Sequence, residues 1–133
     1  MGRSDPKFTI DTGKRVTFFH DGSITYDITL VGGAAEVGQV VTVTADDTVG
    51  LITNGDPFLG LLILVEADGK CTVQLNGMMD VPTDGDPITF NSRVVGGTTN
   101  GTIRAATTGD EITGQGVVIN DSVGTNTVRI LVA

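Results

Sequence analysis

FLGLLILVEADGKCTVQLNGMMDVP, residues 58–82, decides the fold class of this chain. In its first half Leu59, Leu61, Ile63 and Val65 alternate with Phe58, Gly60, Leu62 and Leu64. Both sides of a strand here are therefore apolar, and both need cover. Asp68-Gly69 supplies a tight turn. Beyond it the pattern becomes strict alternation, with Cys71, Val73, Leu75, Gly77, Met79 and Val81 on one side and Thr72, Gln74, Asn76, Met78 and Asp80 on the other. The stretch predicts a hairpin of one strand buried on both faces and one strand with a wet face.

Working outward, the same period recurs. Phe8 and Ile10 flank Thr9, then Val16, Phe18 and His20 alternate with Arg15, Thr17 and Phe19 up to Asp21-Gly22. Ile24, Tyr26, Ile28 and Leu30 follow at period two, which predicts a hairpin with the preceding strand. Val37 to Thr44 reads as a strand, and Val49 to Thr53 as its short return after Ala45-Asp46-Asp47. Gly55-Asp56-Pro57-Phe58 is echoed by Gly85-Asp86-Pro87-Ile88, and each reads as a turn that starts an apolar strand. Thr102 to Thr107, Glu111 to Asn120 and Thr125 to Val132 complete the set, with Val128, Ile130 and Val132 on one face.

Nineteen glycines, five Phe, one Tyr and no Trp suit a sheet protein with many turns, and no helix is predicted. The expected fold is all-β: a single β-barrel or β-sandwich domain over residues 15–133, with an extended N-terminal arm over 1–14. A chain of 133 residues has room for one core. A parallel β-helix would need a regular repeat, and none is visible.

The net charge of −8 is unevenly spread. Met1 to Arg15 holds Arg3, Lys7, Lys14 and Arg15 against Asp5 and Asp11, a balance of +2; the remainder stands at −10. An acidic body of this kind repels phosphate backbones, so nucleic acid is not an expected partner. No apolar run is long enough for a membrane span, and the first residues carry no apolar segment of a secretory signal.

Chemistry-bearing residues are sparse. Cys71, the sole cysteine, falls in an apolar row and reads as a buried, inert thiol. His20, the sole histidine, reads as a rim or structural residue without metal-binding company. Ser4, Ser23, Ser92 and Ser122 lie in turns or the leader, and none sits in a nucleophile elbow. Asp46-Asp47, Asp84-Gly85-Asp86 and Asp110-Glu111 are adjacent acids without EF-hand spacing, and backbone bonding in turns accounts for them. Asn76-Gly77, Asn100-Gly101 and Gly96-Gly97 read as turn formers, not phosphate loops. The expectation is a protein that is not an enzyme, with no catalytic residue, metal or cofactor.

The run LVEADGKCTVQLNGMMDVP, preceded by GQVVTVTADDTVGLITNGDPFLG, resembles the capsid cement, or head-decoration, proteins of tailed bacteriophages, over roughly Val37 to Phe90. The resemblance implies a virion protein on the capsid exterior, assembled in the host cytoplasm, that binds the major capsid protein and braces neighbouring subunits. It also implies a homo-oligomer, a trimer before a dimer. On this reading Arg3, Pro6, Lys7, Phe8, Lys14 and Arg15 of the arm are the expected capsid contacts, because a polar leader can order on docking and add a strand to a shell protein's sheet. The alternative is a carbohydrate- or host-surface-binding module of a fibre or adhesin, using the Thr/Asn/Gly-rich loops Thr98 to Thr102 and Asp121 to Thr127.

Overall fold

Val40 and Val41 are neighbours in sequence, both fully buried, and they point into two different cores. The computed structural model describes residues 13–110, 114 and 116–133. The described strands are β1 (Arg15–His20), β2 (Val40–Ala45), β3 (Thr48–Leu51), β4 (Gly60–Val65) and β5 (Lys70–Gln74). They continue with β6 (Gly77–Pro82), β7 (Val94–Gly96), β8 (Ile103–Ala105), β9 (Val117–Gly124) and β10 (Thr127–Val132). The one helical element among these residues is a 3-10 turn at Val31–Gly33.

The fold is all-β. Strands β1, β3, β2, β4 and β5 close a barrel in that order, β6, β10 and β9 form a three-stranded sheet, and β7 and β8 pair with each other. The predicted hairpin is present as β4–β5, with Leu62 opposite Val73 and Val65 opposite Cys71. The predicted return of β3 along β2 is also present, through a turn where Asp47 takes a positive φ of 54°.

Two hydrophobic clusters replace the single core expected. Ile24, Ala34, Val41, Val49, Leu62, Val65, Cys71 and Val73 fill the barrel. Val40, Ile52, Phe58, Met79, Val81, Ile88, Val94, Ile103, Val118, Val128 and Ile130 fill the space between the barrel's outer wall and the other two sheets. Each Val, Leu, Ile, Phe and Met among them contributes roughly 1.5–3 kcal/mol on burial. The apolar doublets explain the division. In the wall Phe58 and Leu61 join the outer cluster while Leu59 and Leu62 join the barrel cluster. Cover on both faces therefore holds for residues 58–62, but lapses at the far end, where Leu64 is 40% exposed.

The long alternating segment after Lys70 is not one strand. It leaves the barrel at Gln74 and enters the three-stranded sheet at Gly77, whose φ of 89° breaks the pleat. The buried Gln74 amide spans the break, donating from Nε2 to the carbonyls of Asn76 at 3.0 Å and Met78 at 3.2 Å. Burial keeps the predicted alternation on either side of the break, where Cys71, Val73, Gly77, Met79 and Val81 are buried, but not at it: Leu75 is half-buried and Gln74, expected on the wet face, is buried.

Three other expectations are corrected. Ile24 to Leu30 is not a strand paired with β1, because β1 pairs β5 antiparallel and touches β3 in parallel, leaving no ladder for it. Pro87-Ile88 starts no strand; Ile88 instead enters the same cluster as Phe58, so the echoed Gly-Asp-Pro motif delivers one apolar plug twice. Asp121 to Gly124, expected as loop, belongs to β9, which turns at Asn126 (φ 49°) into β10. Of the expected arm, only Gly13 and Lys14 are among the described residues.

Because the two clusters share a wall, they should melt together. Equilibrium denaturation should give one transition, and Leu62→Ala should lower its free energy by roughly 2–5 kcal/mol without splitting it. Two separate transitions would show that the clusters are independent.

Candidate functional site

The turns of this molecule are built on side-chain oxygens that bond backbone amides two residues ahead. Asp21 accepts from the Ser23 N–H at 2.8 Å, Asp27 from Thr29 at 2.9 Å, Asp68 from Lys70 at 3.1 Å, and Asp84 from Asp86 at 3.1 Å. Asn120 does the same for Ser122 at 2.9 Å. These are Asx turns, so the acids hold the backbone, as their turn-rich context predicts. Asp56 and Asp110 act backward instead, accepting from the amides of Thr53 at 3.0 Å and Thr107 at 3.1 Å.

The catalytic inventory does not converge. Among the described residues no group of three or more His, Cys, Asp or Glu side chains gathers. Burial pushes the Cys71 thiol up to about 11, so it stays protonated and unreactive at neutral pH. His20 closes β1 with Nδ1 3.3 Å from the Asp21 carbonyl oxygen, and its Nε2 is buried with no hydrogen-bond partner among the described residues. The Ser23 hydroxyl donates to Asp21 and accepts from the Leu51 N–H at 2.9 Å, which locks it into the barrel rim.

What the surface does offer is a rigid apolar knob. Ile28 is 79% and Val31 95% exposed, and Leu30 beside them is 40% exposed. Both ends of the loop are anchored in the barrel core by Ile24 and Ala34. Asp27 is its pin: its carboxylate accepts from the amide and hydroxyl of Thr29, its carbonyl accepts from the Leu30 N–H at 3.1 Å, and its own N–H donates to the Gly33 carbonyl at 2.7 Å. Gly33 has a φ of 93°, and a Cβ there would overlap the Val65 carbonyl, so the loop is pressed onto β4. The Glu36 carboxylate accepts from the Thr25 N–H at 3.1 Å and closes the base.

Sequence reasoning missed this site by reading its apolar residues as one strand face. The signals against a strand were the Asp27-Ile28-Thr29 spacing of an Asx turn and the adjacent pair Leu30-Val31 before Gly32-Gly33. Of the predicted contact residues, Arg3, Pro6, Lys7 and Phe8 lie outside the described residues. Lys14 and Arg15 are exposed at the start of β1, and the backbone of Lys14 is tied to Asn76 Oδ1 at 2.7 Å and to the Leu75 N–H at 2.8 Å. Neither borders an apolar knob residue in a pairing or hydrogen bond among the described residues.

Electrostatics of the turns sets a pH response. Burial opposes ionisation of Asp21 and Asp84, but hydrogen bonds from Ser23 and Thr44 to the first, and from Thr98 and Asp86 to the second, outweigh it and hold both below the usual aspartate range. Hydrogen bonds from Thr29 hold Asp27 below the usual range, and Arg104 with Thr107 lowers Asp110 to about 2. Groups depressed in the folded state stabilise it above their unfolded value, and that contribution disappears as pH falls through the folded value. Thermal stability should therefore be flat near neutrality and fall between the ordinary aspartate value of 3.8 and about 2, with part of the slope removed in Asp110→Asn. A melting temperature independent of pH across that range would contradict the assignment.

No protein-family model matches this chain, and no curated protein matches it either.

Proposed function

We propose that this chain is a structural virion protein that binds the outer surface of a phage capsid and cements neighbouring major capsid protein subunits. The observation that supports this most is the knob: aliphatic side chains held out to solvent on a loop that is hydrogen-bonded at its base and centre. A preordered loop loses little entropy on docking, and burying Ile28 and Val31 in an apolar socket would contribute roughly 1.5–3 kcal/mol each. Contacts of that size are weak singly and strong when many copies are fixed on one shell. The acidic body and the net positive charge of residues 1–15 fit the same reading, in which Arg3, Lys7, Lys14 and Arg15 would meet acidic ground on the shell while the knob supplies the apolar contact.

A carbohydrate- or host-surface-binding reading draws on exposed Phe19 (51%) and Phe90 (63%), which could stack on sugars. They do not form one platform, since Phe19 is in the barrel and Phe90 precedes the segment bonded to β9. Binding on a glycan array without affinity for shells would favour it.

The purified protein should co-sediment with mature, expanded phage heads and not with unexpanded ones. Ile28→Asp with Val31→Asp should leave folding stability within about 0.5 kcal/mol of the parent, since both sites are exposed. The same pair should cut shell occupancy at least tenfold, a loss of about 1.4 kcal/mol per docking event. Deleting Met1 to Lys7 should leave the domain folded and weaken attachment. Decoration unchanged by either alteration would remove that element from the contact.

A further inference from the structure

The barrel closes β1 onto β3 through one of its two shortest ladders, the other being β2 with β4. On one side β1 pairs β5 along its length, from Arg15 opposite Gln74 to Phe19 opposite Lys70. On the other side β1 meets β3 only at Phe19 and His20. The direction of the backbone groups follows from the bonds that flank the ladder. His20 donates to Gly69 and the Lys14 carbonyl accepts from Leu75, so even-numbered residues face β5; Phe19 donates to Asp47, so odd-numbered residues face the seam. Arg15 and Thr17 therefore point their N–H and C=O groups to the seam below the point where β3 begins, with no strand opposite them among the described residues.

That bare edge runs along a groove of about 360 Å³ lined by Val16, Thr17, Phe18, Phe19, Asp47 and Lys70. Phe18 is half-buried against the barrel core, and Phe19 is 51% exposed. An unpaired strand edge beside apolar pockets and one charge of each sign is suited to an added strand with alternating apolar residues. This chain supplies such a segment: Phe8 and Ile10 alternate with Lys7, Thr9 and Asp11.

We infer that the leader of one copy, centred on Phe8 to Asp11, adds as a strand to the open edge of β1 in a second copy. The leader's own edge is a poor acceptor. Lys14 spends its N–H on Asn76 and its C=O on Leu75, both on the β5 side, and a Cβ at Gly13 would overlap the Asn76 carbonyl. Gly13 and Lys14 thus approach β1 on its β5 side, away from the seam with β3. Reach to a neighbour is ample: twelve extended residues span about 40 Å, against a radius of gyration of about 14 Å for a domain of this size.

A complementation experiment in analytical ultracentrifugation decides it. Thr17→Pro blocks the acceptor edge but removes an N–H that the β5 ladder does not use; Arg15→Pro, at the first position of the strand, is the second blocking variant should the first unfold. A chain lacking residues 1–12 keeps the edge but has no donor. The full chain should self-associate, each variant alone should be monomeric with an unchanged far-ultraviolet spectrum, and mixing a blocked-edge variant with the leaderless one should raise association at least tenfold, as a 1:1 complex. A monomeric full chain, variants that associate as the parent does, or a mixture that stays monomeric would each overturn the inference. The cementing function is judged separately, since a monomeric chain that still co-sediments with shells would end leader exchange and leave that function standing.

Discussion

Gly60 is the position on which the architecture turns. A side chain there would overlap the Gln74 carbonyl and a methyl of Val73, so only glycine lets β4 press this closely against β5. Around that contact the wall of the barrel has protein on both sides, with Leu61 facing the outer cluster and Leu62 the inner one. The same contact brings Gln74 to the place where the chain changes sheets, and its amide supplies the bonds that the broken pleat gives up. One close approach thus links the barrel to the three-stranded sheet.

With apolar side chains committed to two clusters, the turns are held by polar ones. Aspartates fix them through bonds to nearby amides, and hydroxyls of Ser23 and Thr44 gather on Asp21 above Gly50, which has no room for a Cβ. The result is a set of rigid loops on a rigid frame, and one of these loops holds its aliphatic residues outward. That loop presents Ile28 and Val31 to solvent. That is the physical content of the cementing function proposed for it.

Strand type and pairing were legible where a turn signal stood between two periodic runs. Asp68-Gly69 marked the β4–β5 hairpin, and Asp46-Asp47 the β2–β3 return. The division into two cores was legible only in part: an apolar residue on each side of a strand says that both faces are covered, but not that the covers belong to different clusters. Period two also misleads where a loop carries alternating apolar residues by chance of its turns, as in Ile24 to Leu30, because alternation constrains side-chain direction only if a ladder exists. The knob stayed hidden for that reason, although the Asp27-to-Thr29 spacing encodes its central bond. Asn76-Gly77 carried the sheet switch in plain view, and the unbroken alternation around it hid the change of partner.

A cryo-electron microscopy reconstruction of mature phage heads decorated with this protein decides whether the loop of residues 28–31 joins capsid subunits. Density for Ile28, Leu30 and Val31 should be seated against the shell surface, with each domain contacting more than one capsid subunit. Decorated heads in which that loop faces solvent, or in which each domain touches a single subunit, would contradict it.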